Sequence, residues 1–284
     1  ELWSQMKINH LQLYLEHTFA YSGHERVWKE ASPFTGEEIR TLATYCHERG
    51  IELAPNQNSF GHMERWLRHD AYKHLAECPE GFTDFGGVSH PYGTCLSPAV
   101  PQSRSFVAEL YDELLGHFGA STFNVGGDEP WELGQCRSKA LCKRKGTGRV
   151  YLEFIRELQR TVQARGYRCM VFGDIITQYP DLVPELPAEL TVLDWGYEAD
   201  HPFERECRMF RDAGTAFWVL PGTSSWHSFG GRWENARQNI RSAAEQGLAN
   251  GAEGFMITDW GDHGHWQQLP VSYLPWAYAA AVSW

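Results

Sequence analysis

The 284-residue sequence lacks the common signals of membrane, nucleic-acid and nucleotide binding. No run of about 18 apolar residues occurs, so we expect no membrane span. Basic residues are scarce: 25 Lys and Arg stand against 36 Asp and Glu, a net charge of −11, whereas nucleic-acid binders usually carry a basic surface. The glycine motifs GxGxxG and the P-loop are also missing. These absences argue against a nucleic-acid partner and against a doubly wound nucleotide-binding fold.

Cysteine is present, but not in the pattern of a disulfide framework. The seven cysteines form an odd number and include no CxxC pair, whereas such frameworks belong to short secreted chains with even counts. We therefore expect mostly reduced, buried cysteines, which favours a cytoplasmic location. The sequence begins with neither Met nor a signal peptide, so we expect its natural start to lie upstream.

Short apolar segments alternate with amphipathic ones along the whole chain. This alternation predicts a parallel α/β fold. Helices are expected between the strands, one of them beginning at Thr35 with a capping box to Glu38. The predicted strands number seven and cover 8–15, 51–54, 122–125, 168–172, 190–194, 216–220 and 254–258.

Polar side chains follow the ends of many of these strands, which is the arrangement of a (β/α)8 barrel. Because that barrel has eight strands, either one strand escapes the pattern or the first strand lies upstream of residue 1. We accordingly expect residues 1–284 to form a single barrel domain, truncated at the N-terminus. An incomplete barrel would expose two strand edges, which favours a second subunit and hence a homodimer.

Two adjacent carboxylates, Asp128 and Glu129, follow the buried strand at 122–125 and two glycines. One interpretation is a charged loop after a strand. The other is a catalytic acid–base pair, because glycoside hydrolysis uses two carboxylates. Adjacent carboxylates suit a reaction in which the substrate's own acetamido oxygen attacks the anomeric carbon. One carboxylate then holds the acetamido N–H, and the other protonates the leaving oxygen.

Tryptophan is abundant, with 12 residues in the chain. Each one taken alone fits the hydrophobic core as well as a site. Four of them, however, lie at or just beyond the ends of predicted strands, where their indoles could stack on the apolar faces of a sugar: Trp195, Trp226, Trp260 and Trp266.

The segment from Asp259 to His265 supports a rival hypothesis. Its His263-Gly264-His265 sequence has metal-ligand spacing, as in metal-dependent amidohydrolase barrels, although those carry the pair on their first strand. His62, in turn, could be an ordinary loop histidine. We favour a site without metal or cofactor.

The motif Asn124-Val125-Gly126-Gly127-Asp128-Glu129 resembles the His-x-Gly-Gly-Asp-Glu motif of glycoside hydrolase family 20, the β-N-acetylhexosaminidases, with Asn in place of the first His. The similarity is strongest to the compact hexosaminidase D-like branch. It runs in order through 55–74, 128–134, 193–200 and 254–265, and so covers nearly the whole chain.

The resemblance implies a role for each matching residue. Glu129 would be the general acid and base, and Asp128 would orient the acetamido group. His62 would hydrogen-bond near the acid, with Glu16 as its carboxylate partner. The remaining substrate-binding candidates are the aromatic residues of the acetamido pocket and a polar group after the fifth family strand: Trp195, Tyr197, Trp226, Trp260 and Asp174.

Three departures from the family pattern concern the substrate contacts. The family's first strand, with its sugar-binding Arg, has no counterpart in the sequence. The family tyrosine that bonds the acetamido oxygen is not evident near 221–226, so Tyr197 is proposed as its substitute. Asn56 and Asn58 stand where larger members carry carboxylates.

These inferences predict an exo-acting, retaining β-N-acetylhexosaminidase that acts on an amino-sugar glycoside. The resemblance favours terminal GalNAc slightly over GlcNAc. Two alternatives remain open: a sugar-binding barrel without catalytic activity, and a metal-dependent amidohydrolase.

Overall fold

The structure is a computed structural model that describes residues 1–84, 86–226 and 228–284, without the side chain of His263. Its strands are β1 (His10–Leu15), β2 (Glu52–Gln57), β3 (Phe82–Thr83), β4 (Ser89–His90), β5 (Thr122–Asn124), β6 (Arg168–Phe172), β7 (Leu190–Trp195), β8 (Phe217–Leu220) and β9 (Gly254–Phe255). Its α-helices are α1 (Leu2–Gln5), α2 (Glu25–Trp28), α3 (Gly36–His47), α4 (Glu64–Leu67), α5 (Asp70–Lys73), α6 (Gln102–Leu114), α7 (Lys139–Lys145), α8 (Thr147–Gln163), α9 (Phe203–Ala213), α10 (Trp233–Asn250) and α11 (Tyr273–Ser283).

Residues 11–182 form one compact unit, called unit A. Its main strands lie side by side in the order β1, β2, β5, β6. The β2–β5 and β5–β6 pairs are parallel, with Asn124 opposite both Asn56 and Met170. Phe123 on β5 and Val171 on β6 are almost completely buried, as expected for parallel strands that are covered on both faces. The loop between β2 and α6 adds the small antiparallel hairpin β3–β4.

Residues 1–10 and 183–284 form the second compact unit, called unit B. Its strands β7, β8 and β9 are parallel neighbours in that order. Helices α10 and α11 pack together through Ala236, Ile240 and Ala279, which are all buried. The small side chains of Ala236 and Ala279 allow the two helices to approach closely.

All seven predicted strands of the α/β alternation occur. α-Helices separate them except between β6 and β7, where the chain forms short 3-10 helices at Ile176–Gln178 and Pro180–Glu185. The capping box at Thr35 is present: its hydroxyl accepts the Glu38 N–H at 3.2 Å and Glu38 accepts the Thr35 N–H at 2.8 Å. Two strand ends differ from the prediction by three residues, and the other ends by at most two. β2 continues through Asn56 and Gln57, because both amides find hydrogen-bond partners in the interior, and β9 ends at Phe255.

The cysteine prediction is only partly correct. Five cysteines are free and buried: Cys46, Cys95, Cys142, Cys169 and Cys207. Cys78 and Cys136 instead form a disulfide, which joins the loop after β2 to the loop after β5 across 58 positions of sequence. Sequence spacing missed this pair because folding brings the two loops together. The cytoplasmic location that we expected from reduced cysteines therefore stays a prediction, because two of the seven cysteines are paired.

Among the described residues, no helix combines the length and the apolar character that crossing a membrane requires.

Candidate active site

The chain turns sharply at the end of β5, in the segment 126–138, called the acid loop. Gly126 and Gly127 have φ of 74° and 91°, values that favour glycine because it has no Cβ. A Cβ on Gly126 would also lie 2.0 Å from Asn58 Oδ1. Glu129 has a φ of 48°, an unusual backbone conformation for a residue with a side chain. The glycines and the strained turn present Asp128 and Glu129 together.

One imidazole contacts three carboxylates in unit A. His62 Nε2 lies 3.1 Å from Asp128 Oδ2 and 3.4 Å from Glu129 Oε2, and His62 Nδ1 lies 3.8 Å from Glu16 Oε1. Burial by itself would lower the pKa of His62. The charge and hydrogen bond of Asp128, with the charges of Glu129 and Glu16, outweigh that effect and raise the pKa to about 9. His62 is therefore an imidazolium at neutral pH.

Asp128 has one oxygen in use and one without a partner. Its Oδ2 contacts His62, whereas Oδ1 is buried and makes no hydrogen bond. Only 9% of the residue is exposed. Because buried polar atoms are normally hydrogen-bonded, Oδ1 is an acceptor available to a donor from outside the chain.

Asp174 reaches the acid loop through the backbone. Its Oδ2 accepts the main-chain N–H of Glu129 at 3.1 Å. This bond helps to hold Glu129 in its unusual conformation. The structure thus brings together four sequence-predicted residues around Glu129, namely Asp128, His62, Glu16 and Asp174.

Two further polar residues of this cluster, Tyr14 and Asn58, were missed as site candidates. The Tyr14 hydroxyl donates to Glu16 Oε1 at 3.0 Å and accepts from Asn58 Nδ2 at 2.7 Å. Burial raises the pKa of Glu16, although His62 and Tyr14 both act to lower it. The period-two alternation of β1 places Tyr14 and Glu16 on the same face, and that signal could have identified Tyr14.

Four of the predicted aromatic residues form a cluster in unit B. The rings of Trp195 and Tyr197 stack with centroids 5.1 Å apart, and Tyr197 meets Trp226 edge to face at 5.0 Å. The Trp260 Nε1–H donates to the Tyr197 hydroxyl at 2.9 Å. Trp195 Nε1 is buried and has no hydrogen-bond partner. Trp266 is not part of this aromatic cluster: it is 60% exposed and packs against Phe229.

The described residues include one group whose ligand atoms could hold a metal ion: Asp194, His201 and Glu206, in unit B. Burial and the charge of Glu206 raise the pKa of Asp194 well above its usual range. The rival metal segment from Asp259 to His265 contributes nothing to this group. Asp259 accepts hydrogen bonds from Thr223 and Ser225, Asp262 and His265 are exposed, and the His263 side chain lies outside the described residues.

A parallel α/β chain with paired carboxylates at a strand end is the arrangement of a glycoside hydrolase catalytic domain. The chain belongs to glycosyl hydrolase family 20: the model of that family's catalytic domain matches residues 6–215.

Sequence relatives agree with this assignment. Human hexosaminidase D is 26% identical over 208 residues, which span 70% of this chain and 40% of that protein. A β-hexosaminidase of Akkermansia muciniphila is 29% identical over 101 residues, 35% of this chain and 20% of that protein. The chain thus spans less than half the length of these curated relatives.

Solved structures show the same fold. The β-N-acetylhexosaminidase of Bacteroides fragilis matches 99% of this chain and 61% of its own, with a TM-score of 0.74 and 14% identity. The N-acetyl-β-hexosaminidase of Streptomyces plicatus matches 99% of this chain and 58% of its own, with a TM-score of 0.71 and 17% identity. These matches, with the strand–helix alternation, confirm the predicted (β/α)8-type barrel class.

Proposed function

We propose that this chain is an exo-acting, retaining β-N-acetylhexosaminidase that uses the acetamido group of its substrate as the nucleophile. The observation that carries the proposal is the carboxylate pair at the end of β5. Asp128 offers a buried oxygen without a partner, and Glu129, next in sequence, keeps about a third of its side chain exposed. The names of the relatives, hexosaminidases and β-N-acetylhexosaminidases, support the same activity.

Asp128 is the residue that we assign to the acetamido group. Its Oδ2 is held by His62, and Oδ1 would accept the acetamido N–H. This hydrogen bond increases the electron density on the acetamido oxygen, which attacks the anomeric carbon. The bond to the leaving oxygen breaks, and an oxazolinium-type intermediate forms.

Glu129 is the general acid in this scheme. It transfers its proton to the leaving oxygen as the glycosidic bond breaks. Water then attacks the anomeric carbon from the vacated face, with Glu129 accepting its proton. The two displacements at the anomeric carbon together retain its configuration, and Glu129 recovers its proton for the next cycle.

We keep the aromatic cluster of unit B as candidate sugar-binding residues, as its match to the family pattern implies. Its rings offer apolar surface for a sugar, and the Trp260 N–H fixes the position of the Tyr197 hydroxyl. We further propose GalNAc as the preferred terminal sugar, on the basis of the similarity to hexosaminidase D.

The acid role is tested with Glu129→Gln. Hydrolysis of an N-acetylhexosaminide with a poor leaving group, such as phenyl, should fall by roughly 100-fold or more. A dinitrophenyl glycoside needs no acid and should keep most of its rate. Equal loss on both substrates would contradict the assignment of Glu129.

Participation of the acetamido group is tested with a thiazoline inhibitor that mimics the cyclic intermediate. It should compete with nitrophenyl β-GalNAc, while a chelator should leave the activity unchanged. Loss of activity with the chelator would instead support the metal-dependent alternative. Absence of turnover of both the GalNAc and the GlcNAc substrate would support the sugar-binding alternative.

A further inference from the structure

Two fully buried carboxylates connect the acid loop with the chain near His62: Glu132 within the acid loop, and Glu77 in the loop after β2. Both are 0% exposed. Glu132 comes three residues after Glu129, and Glu77 follows α5. In the described part of the chain, the hydrogen-bond partners of both carboxylates are backbone N–H groups and hydroxyls. Hydrogen bonds therefore satisfy these buried carboxylate oxygens.

Glu132 is bound to the segment 93–97, called the facing segment. Its carboxylate accepts the Thr94 N–H at 2.6 Å, the Thr94 hydroxyl at 2.7 Å and the Cys95 N–H at 2.7 Å. Hydrogen bonds to an ionised group in a buried setting are stronger than neutral ones. The middle of the acid loop is thus fastened to the facing segment.

The facing segment is also bonded to the chain on both sides of His62. The Met63 N–H donates to the Thr94 carbonyl at 2.8 Å, and the Leu96 N–H donates to the Phe60 carbonyl at 2.9 Å. Glu132 therefore connects the backbone of His62 to that of Glu129 through a single intervening segment.

Glu77 makes the reciprocal connection. It accepts the Ser138 N–H at 2.9 Å and the Ser138 hydroxyl at 2.7 Å, at the far end of the acid loop. It also accepts the Ser97 hydroxyl at 2.6 Å, in the facing segment. The acid loop is consequently held at two points. Glu132 belongs to the loop and accepts hydrogen bonds from outside it, whereas Glu77 lies outside the loop and accepts hydrogen bonds from it.

Both residues that these bonds hold have strained backbones. His62 has a φ of 56° and Glu129 has a φ of 48°. Such conformations are unfavourable for residues with a side chain and persist only where surrounding contacts enforce them. Loosening the acid loop would let Glu129 relax away from His62.

We propose that Glu132, supported by Glu77, is a positioning residue that keeps the Glu129 carboxyl at the leaving-group oxygen. The inference rests on the general-acid role proposed above for Glu129. It assigns a functional role to two residues that make no contact with Glu129 or with His62 through their side chains.

The variant that tests this role is Glu132→Gln, which keeps the size of the side chain but sets an NH₂ donor against N–H donors. For the phenyl glycoside, kcat should fall by about 10- to 100-fold, with little change in KM, because a displaced acid protonates poorly. For the dinitrophenyl glycoside, kcat should change by less than about threefold, because that leaving group needs no acid.

A second pair of variants covers the case in which Glu132→Gln does not fold. Thr94→Val removes one donor to Glu132, whereas Thr94→Ser keeps it. Only Thr94→Val should show the selective loss on the phenyl glycoside. Glu153→Gln, at a partly exposed residue of α8 that pairs with Lys145, is the matched control and should leave both rates unchanged.

Equal losses on both glycosides, or no loss in a folded Glu132→Gln protein, would overturn the inference. If Glu132→Gln does not fold, a Thr94→Val that behaves like Thr94→Ser would overturn it. The Glu129→Gln variant is measured in the same assay. If Glu129→Gln lacks the leaving-group selectivity, the proposed function itself fails. If Glu129→Gln shows this selectivity and the Glu132 and Thr94 variants do not, only the positioning role fails.

Discussion

His62 is the cation at the centre of the carboxylate cluster in unit A. Three carboxylates contact its ring, and the imidazolium lets Asp128, Glu129 and Glu16 lie near one another in a largely buried setting. Without this cation, repulsion among carboxylates so close together would disfavour the arrangement. The His62 cation therefore helps to hold the Asp128 and Glu129 side chains in place.

The raised pKa of His62 predicts a specific dependence of stability on pH. The pKa lies near 6.5 in an unfolded chain and at about 9 in the folded protein. The folded state thus binds the proton more tightly, and the resulting stabilisation, about 3 kcal/mol at most, is complete below pH 6.5. It is lost as the pH rises through 9.

Urea unfolding of wild type and His62→Asn at pH 6 and pH 9.5 measures this contribution. The free energy of unfolding of the wild type should fall by about 1–3 kcal/mol more than that of the variant. An identical pH dependence in the two proteins would show that His62 does not carry a raised pKa.

The loops that follow the strands, rather than the strands themselves, set the geometry around Glu129. β5 is only three residues long, and the turn after it depends on Gly126, Gly127 and bonds from distant loops. The disulfide from Cys78 to Cys136 adds a covalent link between the same two loops that Glu77 and Glu132 connect. The strands provide the scaffold, and the contacts between loops fix the position of Glu129.

The disulfide between Cys78 and Cys136 should make a measurable contribution to the free energy of unfolding. Closing a loop across 58 residues restricts the unfolded chain, and such bonds typically contribute 2–4 kcal/mol. The double variant Cys78→Ala/Cys136→Ala should lose about that free energy of unfolding. A phosphine reductant should lower the wild type to the same level and leave the variant unchanged. If the reductant does not change the free energy of unfolding of the wild type, that result would argue against the disulfide.

For the molecule as a whole, the acidic charge and the fold class are compatible with the glycosidase function proposed above. A net charge of −11 disfavours polyanionic partners, and a barrel fold places functional loops at the C-terminal ends of its strands. That residues 1–284 form a single domain, and that two copies form a homodimer, both stay predictions. The family assignment rests on 6–215, most of the chain.

The sequence by itself determined the order of the elements, because apolar periodicity and helix caps are local signals. It placed all seven strands of the alternation within a few residues, and it placed the start of α3 at the Thr35 capping box. It also made Asp128 and Glu129 the leading site candidates, because the two carboxylates stand in a recognisable motif with two glycines; their catalytic roles stay predictions. His62 and Glu16 were found through the same resemblance.

Only the tertiary structure decided which distant groups meet. The pairing of Cys78 with Cys136, the contact of Tyr14 with Glu16 and the buried bonds of Glu77 and Glu132 join residues from separate loops or strands. Burial and hydrogen bonding depend on packing between segments that are far apart in the chain. For the same reason Trp266, at a strand end like its three counterparts, is exposed while Trp195, Tyr197, Trp226 and Trp260 gather together.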